Sequence, residues 1–349
     1  MTDKIREWFG DIEATRERID AFWAGGGRFL ITVETSAHGY RQDFDEAGVL
    51  GRIGPNLKAE SEMPGANMPV IFADWGTIST AKYWGGEVKI SDEYIFVEPA
   101  AQTIDEALAL SPRPVDDPEM DAYKAVARYR AVSESLGTDA LWLRTPDMQG
   151  TLNTAGLIMN QDEFLMALYT ETEKVHTFLG RVSDFLIEYA LYLRRETHNH
   201  ICGNIWPYTF FPSDLGLSLT EDLMPLLSAE KYAEFGIPYL LKLQQALGAL
   251  HIHCCGKYGH HVENLRKSGL KLKALEFHYP ATTLEELEPL AEDTVFIPYI
   301  ILHKQEEFAS TVAFYRHLIE HAGPEFRFWF ACADDSEEML AFAEEYAAG

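Results

Sequence analysis

Residues 251–261 read HIHCCGKYGHH, which places four of the chain's 12 histidines and two of its four cysteines in one short stretch. Imidazole nitrogen and thiolate sulfur are the donors that a borderline-soft cation such as zinc prefers. On an extended backbone successive side chains alternate between faces, so His251, His253 and Cys255 share one face and Cys254 takes the other. His253 and Cys255 then stand side by side at a strand end, and Gly256 and Gly259 permit a tight turn beyond it. A vicinal Cys254–Cys255 disulfide would need local geometry that conflicts with a strand through both residues. The same period of two groups Leu272, Ala274, Glu276 and His278 in LKALEFHY, and Phe328, Phe330 and Cys332 in FRFWFACADD. His253, Cys255 and Cys332 would give zinc an N, S, S donor set, with a fourth place for Glu276, water or substrate. That is the pattern of a catalytic zinc rather than a structural one. His251, Cys254, Cys202, His260 and His261 read as ordinary core or turn residues.

The elements that must position these donors are legible as β-rich runs alternating with amphipathic helical segments. The runs fall at 29–34, 70–75, 141–145, 201–206, 250–255, 272–277, 294–300 and 326–331. Eight strands alternating with helices predict a (β/α)8 TIM barrel, formed by residues 1–349 as a single domain. Residues 1–27 read as an N-terminal helical extension, and 76–140 as an insertion between the second and third strands, with EVKISDEYIFVEP as a hairpin. Barrel enzymes work at the C-terminal ends of their strands, and this selects further candidates. His38 follows the first strand, Asp74 ends the second, and Asp147 and Gln149 follow the third. Asn204, Trp206 and Tyr208 sit at the fourth. Asp147, His38 and Glu276 are the expected proton-transfer and catalytic groups; Asp74, Gln149, Asn204, Trp206 and Tyr208 are expected to meet substrate. Asp222 reads as a loop holder or a helix N-cap.

A formal charge of −26, from 29 basic against 55 acidic residues, argues against binding nucleic acid or an anionic membrane. No run of eighteen apolar residues suggests a membrane span. The charged amphipathic start has no signal-peptide core, so a cytoplasmic protein without stable disulfides is expected.

The stretch LHIHCCGKYGHHVENLRKSGLKLKALEF resembles the H-x-C-G segment of the uroporphyrinogen decarboxylase-like superfamily, in its zinc-dependent, corrinoid-linked methyltransferase branch. PDMQGTLNTAGLIMNQDEFLMALYTETEKVHTFL and the approach to the H-x-C strand, GLSLTEDLMPLLSAEKYAEFG, are also similar to that superfamily, so the resemblance covers most of the chain. It implies zinc on His253, Cys255 and Cys332, with Glu276 in the place of an added carboxylate ligand. It also implies transfer of a methyl group between a small-molecule donor or acceptor (thiol, methoxy or methylamine-type compound) and cobalt. No corrinoid-binding domain is visible, so the corrinoid (cobalamin) is expected from a separate partner protein; a homodimer is compatible with this reading. One departure matters. Where uroporphyrinogen decarboxylases carry an arginine-rich segment for the porphyrinogen carboxylates, this chain reads ETSAHGYRQDFD, with Arg41 alone. Decarboxylation is therefore the lesser alternative, beside a corrinoid- or small-molecule-binding barrel without metal catalysis.

Overall fold

The computed structural model describes residues 3–35, 46–90 and 95–346; His38 and Arg41 lie outside the described residues. Its strands are β1 (Phe29–Val33), β2 (Val70–Ile71), β3 (Glu87–Ile90), β4 (Ile95–Glu98), β5 (Trp142–Arg144), β6 (Ile201–Cys202), β7 (Gly216–Thr220), β8 (Ala249–His253), β9 (Leu272–Tyr279), β10 (Val295–Ile300) and β11 (Arg327–Cys332). Two parallel sheets carry the architecture. One runs β1-β11-β10-β9-β8-β7 and the other β2-β5-β6, while β3 and β4 form the antiparallel hairpin expected within the insertion. Helices connect the parallel strands, as an all-parallel α/β fold requires.

The sheets differ from the expected ring in two respects. A ninth parallel strand, Gly216–Thr220, was not anticipated, because a Gly-Leu-Ser-Leu-Thr run lacks the branched and aromatic residues that mark a strand. All five of its residues are buried, and its polar members are matched by neighbours: Ser218 Oγ lies 3.0 Å from His251 Nδ1. Among the described residues the ladder does not close continuously. Instead the two sheets are tied where Gly150 N donates to Thr220 O (2.8 Å) and Thr220 N to Met148 O (3.0 Å). At the other pair of edges Val33 N donates to Asn67 Oδ1 (3.3 Å), just before β2.

The faces are settled by packing. Trp329 of β11 donates from Nε1 to Thr32 Oγ1 (2.9 Å) and packs on Trp23 and Phe22 of the N-terminal helix Ile12–Trp23. Phe330 turns the other way, onto Tyr315 of helix Thr311–His321 and Phe342 of helix Glu337–Tyr346. The long helix Thr172–Glu196 buries Val175, Phe178, Leu179, Val182, Phe185, Leu186, Tyr189 and Leu193, one stripe at three- and four-residue steps. Among the described residues no helix is long and apolar enough to cross a membrane.

Glycine allows the sheet edges to meet. A Cβ on Gly203, just past β6, would lie 1.9 Å from Ser218 Oγ and 2.2 Å from Ser218 Cβ on β7. Gly203→Ala is therefore expected to destabilise the fold by about 1–3 kcal/mol through overpacking. Urea unfolding of the variant checks this; an unchanged midpoint would show that the β6 and β7 edges can part at little cost.

Candidate metal centre

Strand β8 stops at His253, two residues earlier than the sequence suggested, and this separates the two adjacent cysteines. Both are free thiols: Cys254 is buried and Cys255 exposed. Cys255 donates its backbone N–H to Asp222 Oδ1 (2.9 Å), and that oxygen is 3.6 Å from His253 Nε2. Ligand atoms of Asp222, His253 and Cys255 all lie within 4.8 Å of one another. The opposite nitrogen, His253 Nδ1, is hydrogen-bonded to Glu276 Oε2, and Glu276 Oε1 accepts from His278 Nε2 at 2.8 Å. His253, Glu276 and His278 form a second group at the same spacing.

Glu276 is fully buried. Burial alone would raise its carboxyl, but His253 and His278 outweigh that and hold it below its ordinary range. For His253 burial works against the charge, and Glu276 together with the Cys255 thiol wins, lifting it well above the usual imidazole value. The result is an imidazole whose Nδ1 is committed to a carboxylate and whose Nε2 faces a carboxylate and a thiol. A metal-ligating histidine is oriented by such a carboxylate on its far nitrogen. The donor set N, S and O, with Cys255 open to the outside, fits a zinc ion that keeps a position for substrate.

The other expected ligand is placed elsewhere. Cys332 is fully buried on the β11 face that carries Phe328 and Phe330, turned toward the helix layer, and belongs to neither group. Burial and the nearby Asp334 push its thiol upward. Ala333, the next residue, is the one that reaches the cavity. Asp222, read from the sequence as a loop holder or a helix N-cap, and His278 stand in these groups without having been expected there. The E-x-H period in β9 carried a signal for His278. Asp222 was obscured because the strand before it was not recognised.

In front of His253 opens a cavity of about 570 Å³, lined by Asp147, Gln149, Asn204, Trp206 and Asp222 among others. Gln149 donates to Asp147 Oδ1 (2.6 Å) and is itself held by Asn153 Nδ2 (2.9 Å). Burial and then the charge of Asp74 push Asp147 up to about 7. Asp74, also raised by burial, stands behind this wall and accepts from Gly76 N (2.7 Å) and the Asn204 side chain. Tyr208 is not at this cavity: its ring covers Arg144 at 4.6 Å beside a smaller hollow lined also by Glu34. Trp206 packs edge-on to Tyr299 (4.5 Å), which in turn contacts His278 (4.7 Å).

No protein-family model and no curated protein matches the sequence. Among solved structures, a methyltransferase from Methanosarcina mazei shares the fold, with a TM-score of 0.66, 12% identity, and coverage of 95% of this chain and 98% of that one. A looser likeness, with a TM-score of 0.46 and 12% identity over 97% and 92% of the chains, is to a candidate vitamin-B12-independent methionine synthase from Listeria monocytogenes. It is too distant to bear on fold or chemistry.

The last two histidines of the motif hold the loop that carries Asp222. His260 Nε2 meets Leu227 O (3.1 Å), and His261 Nε2 meets Met224 O (2.8 Å). Burial lowers His261 to about 4. It is neutral in the fold while an unfolded histidine protonates near 6.5, so its contribution is complete above that pH and is lost as pH falls from 6.5 toward 4. The loss is on the order of 2 kcal/mol. His261→Gln keeps an N–H donor but does not titrate, so its urea stability is expected to fall less than wild type between pH 7 and pH 4.5. Equal acid losses in the two proteins would assign that loss to other groups.

Proposed function

We propose that this chain is a zinc-dependent methyltransferase that moves a methyl group between a small molecule and the cobalt of a separate corrinoid protein. The observation that carries the reading is the donor set of His253, Cys255 and Asp222 at the edge of a 570 Å³ cavity, with His253 oriented by buried Glu276. The H-x-C-G resemblance and the fold shared with a methyltransferase support it. Bound zinc would supply Lewis acidity toward a leaving atom, or would stabilise a thiolate, at neutral pH.

His253 and Cys255 would hold the ion. Asp222 is the third donor within reach; Cys332 is the softer donor that the resemblance implies, and it belongs to neither group of ligand atoms. Glu276, by accepting from Nδ1, would orient His253 so that Nε2 is the nitrogen offered to the ion, and binding there requires Nε2 to be free of its proton. Asp147, positioned by Gln149, faces the cavity as the group able to hold or release a proton near neutral pH. For transfer toward cobalt, cobalt(I) of the partner, here a substrate, provides the electron pair of the new bond. The heteroatom that loses methyl keeps the old pair.

Metal content decides the matter. Wild type purified without chelators and supplied with zinc is expected to hold about one zinc per chain, and His253→Ala and Cys255→Ser to hold far less. Comparing Asp222→Ala with Cys332→Ala identifies the third donor by which variant loses zinc. A wild type that remains metal-free would overturn the reading.

A further inference from the structure

We propose that the cavity before His253 takes a small methylated ammonium ion that still carries an N–H, held by Asp147 and Asn204 Oδ1 against Trp206. This rests on the methyltransferase reading for its chemistry, but not for its binding site. Three observations carry it. The first is an unpaired acceptor. Asn204 lines the cavity and is only 7% exposed, and its Oδ1 has no hydrogen-bond partner, while Asp74 takes its amide hydrogens. A buried acceptor left alone is costly, so this position asks for a ligand with a donor hydrogen.

The second is the sign of the surroundings. Asp147 and Asp222 line the cavity, Asp74 backs it, and among the described residues no Lys or Arg lines it. The carboxylates favour a cation and disfavour a carboxylate- or sulfonate-bearing one, and the net charge of −26 works in the same direction at longer range. Third, Trp206 presents an aromatic surface, which attracts ammonium ions.

The chemistry agrees with this choice. With its nitrogen lone pair held by a proton rather than by a metal, a methylamine gives up methyl to cobalt(I) as its ammonium. The C–N bond breaks with its pair on nitrogen, the neutral amine leaves with its N–H hydrogens, and no acid is consumed. From the unprotonated amine the leaving group would be an amide anion. A site that keeps the nitrogen protonated therefore serves the transfer.

Titration calorimetry on the full chain tests the inference, using dimethylammonium, tetramethylammonium, methanol and mercaptoacetate as probes. Dimethylammonium is expected to bind at least about tenfold more tightly than tetramethylammonium, which has the charge but no N–H, and methanol is expected not to bind. Asp147→Asn and Asn204→Leu should each weaken dimethylammonium at least about tenfold while leaving zinc content unchanged. Equal affinity for the two cations, no binding of either, or preference for mercaptoacetate would overturn the inference in wild type alone, whatever the variants do. Zinc measured on the same samples separates the outcomes. Zinc bound without the amine rejects the ammonium site and leaves the methyltransferase reading standing; amine bound without zinc does the reverse.

Discussion

A fully buried carboxylate organises this end of the molecule. Glu276 has no access to water, and an isolated charge in such a place would cost several kcal/mol. Two imidazoles, His253 and His278, occupy its two oxygens, and its backbone carbonyl accepts from Tyr258 Oη (2.8 Å). Because each oxygen is committed, the rings have no freedom to turn, and His253 must present Nε2 to the space where Asp222 and Cys255 meet. Removing Glu276 would leave two histidines unsupported, so the orientation of the whole donor set depends on this one group.

The rest of the HIHCCGKYGHH stretch follows from the same constraint. Ending β8 at His253 leaves Cys254 in the core and brings Cys255 to the outside, so one cysteine packs while the other is available to a ligand. The chain then turns at Gly256, where a Cβ would lie 2.5 Å from Pro225 Cγ. It comes back to offer His260 and His261 to the carbonyls of the loop after β7. That loop carries Asp222. The motif thus contains His253 and Cys255 and also the brackets that hold the loop bearing Asp222.

Strand period and strand ends were readable from residue order alone, and they placed His253, Glu276, Asp147, Asn204 and Trp206 in one neighbourhood. What residue order did not carry was which face of a strand looks inward when both are apolar. In β11 the alternation Phe328, Phe330, Cys332 against Trp329, Ala331, Ala333 holds, yet both sets are hydrophobic. Only the indole of Trp329, bonded to Thr32 and packed against Trp23, shows that its own side faces the core. Strand β7 was hidden for a related reason: its small polar residues are buried because neighbours satisfy them, as Ser218 does with His251. Missing it removed Asp222 from the strand ends. Tyr208 was placed correctly along the chain, but its ring turns to cover Arg144, away from the cavity.

The proposed divalent ion and the proposed ammonium would repel one another, so the two proposals together require negative charge in the wall between them. Asp222 lies within 3.6 Å of His253 Nε2, and Asp147, tied by Gln149, lines the same cavity beside Asp74. Burial raises both Asp147 and Asp74, and the charge of Asp74 raises Asp147 further. A cation bound at the cavity would lessen the cost of a charge on Asp147, and the proposed ammonium would also bring the orphaned Oδ1 of Asn204 a hydrogen.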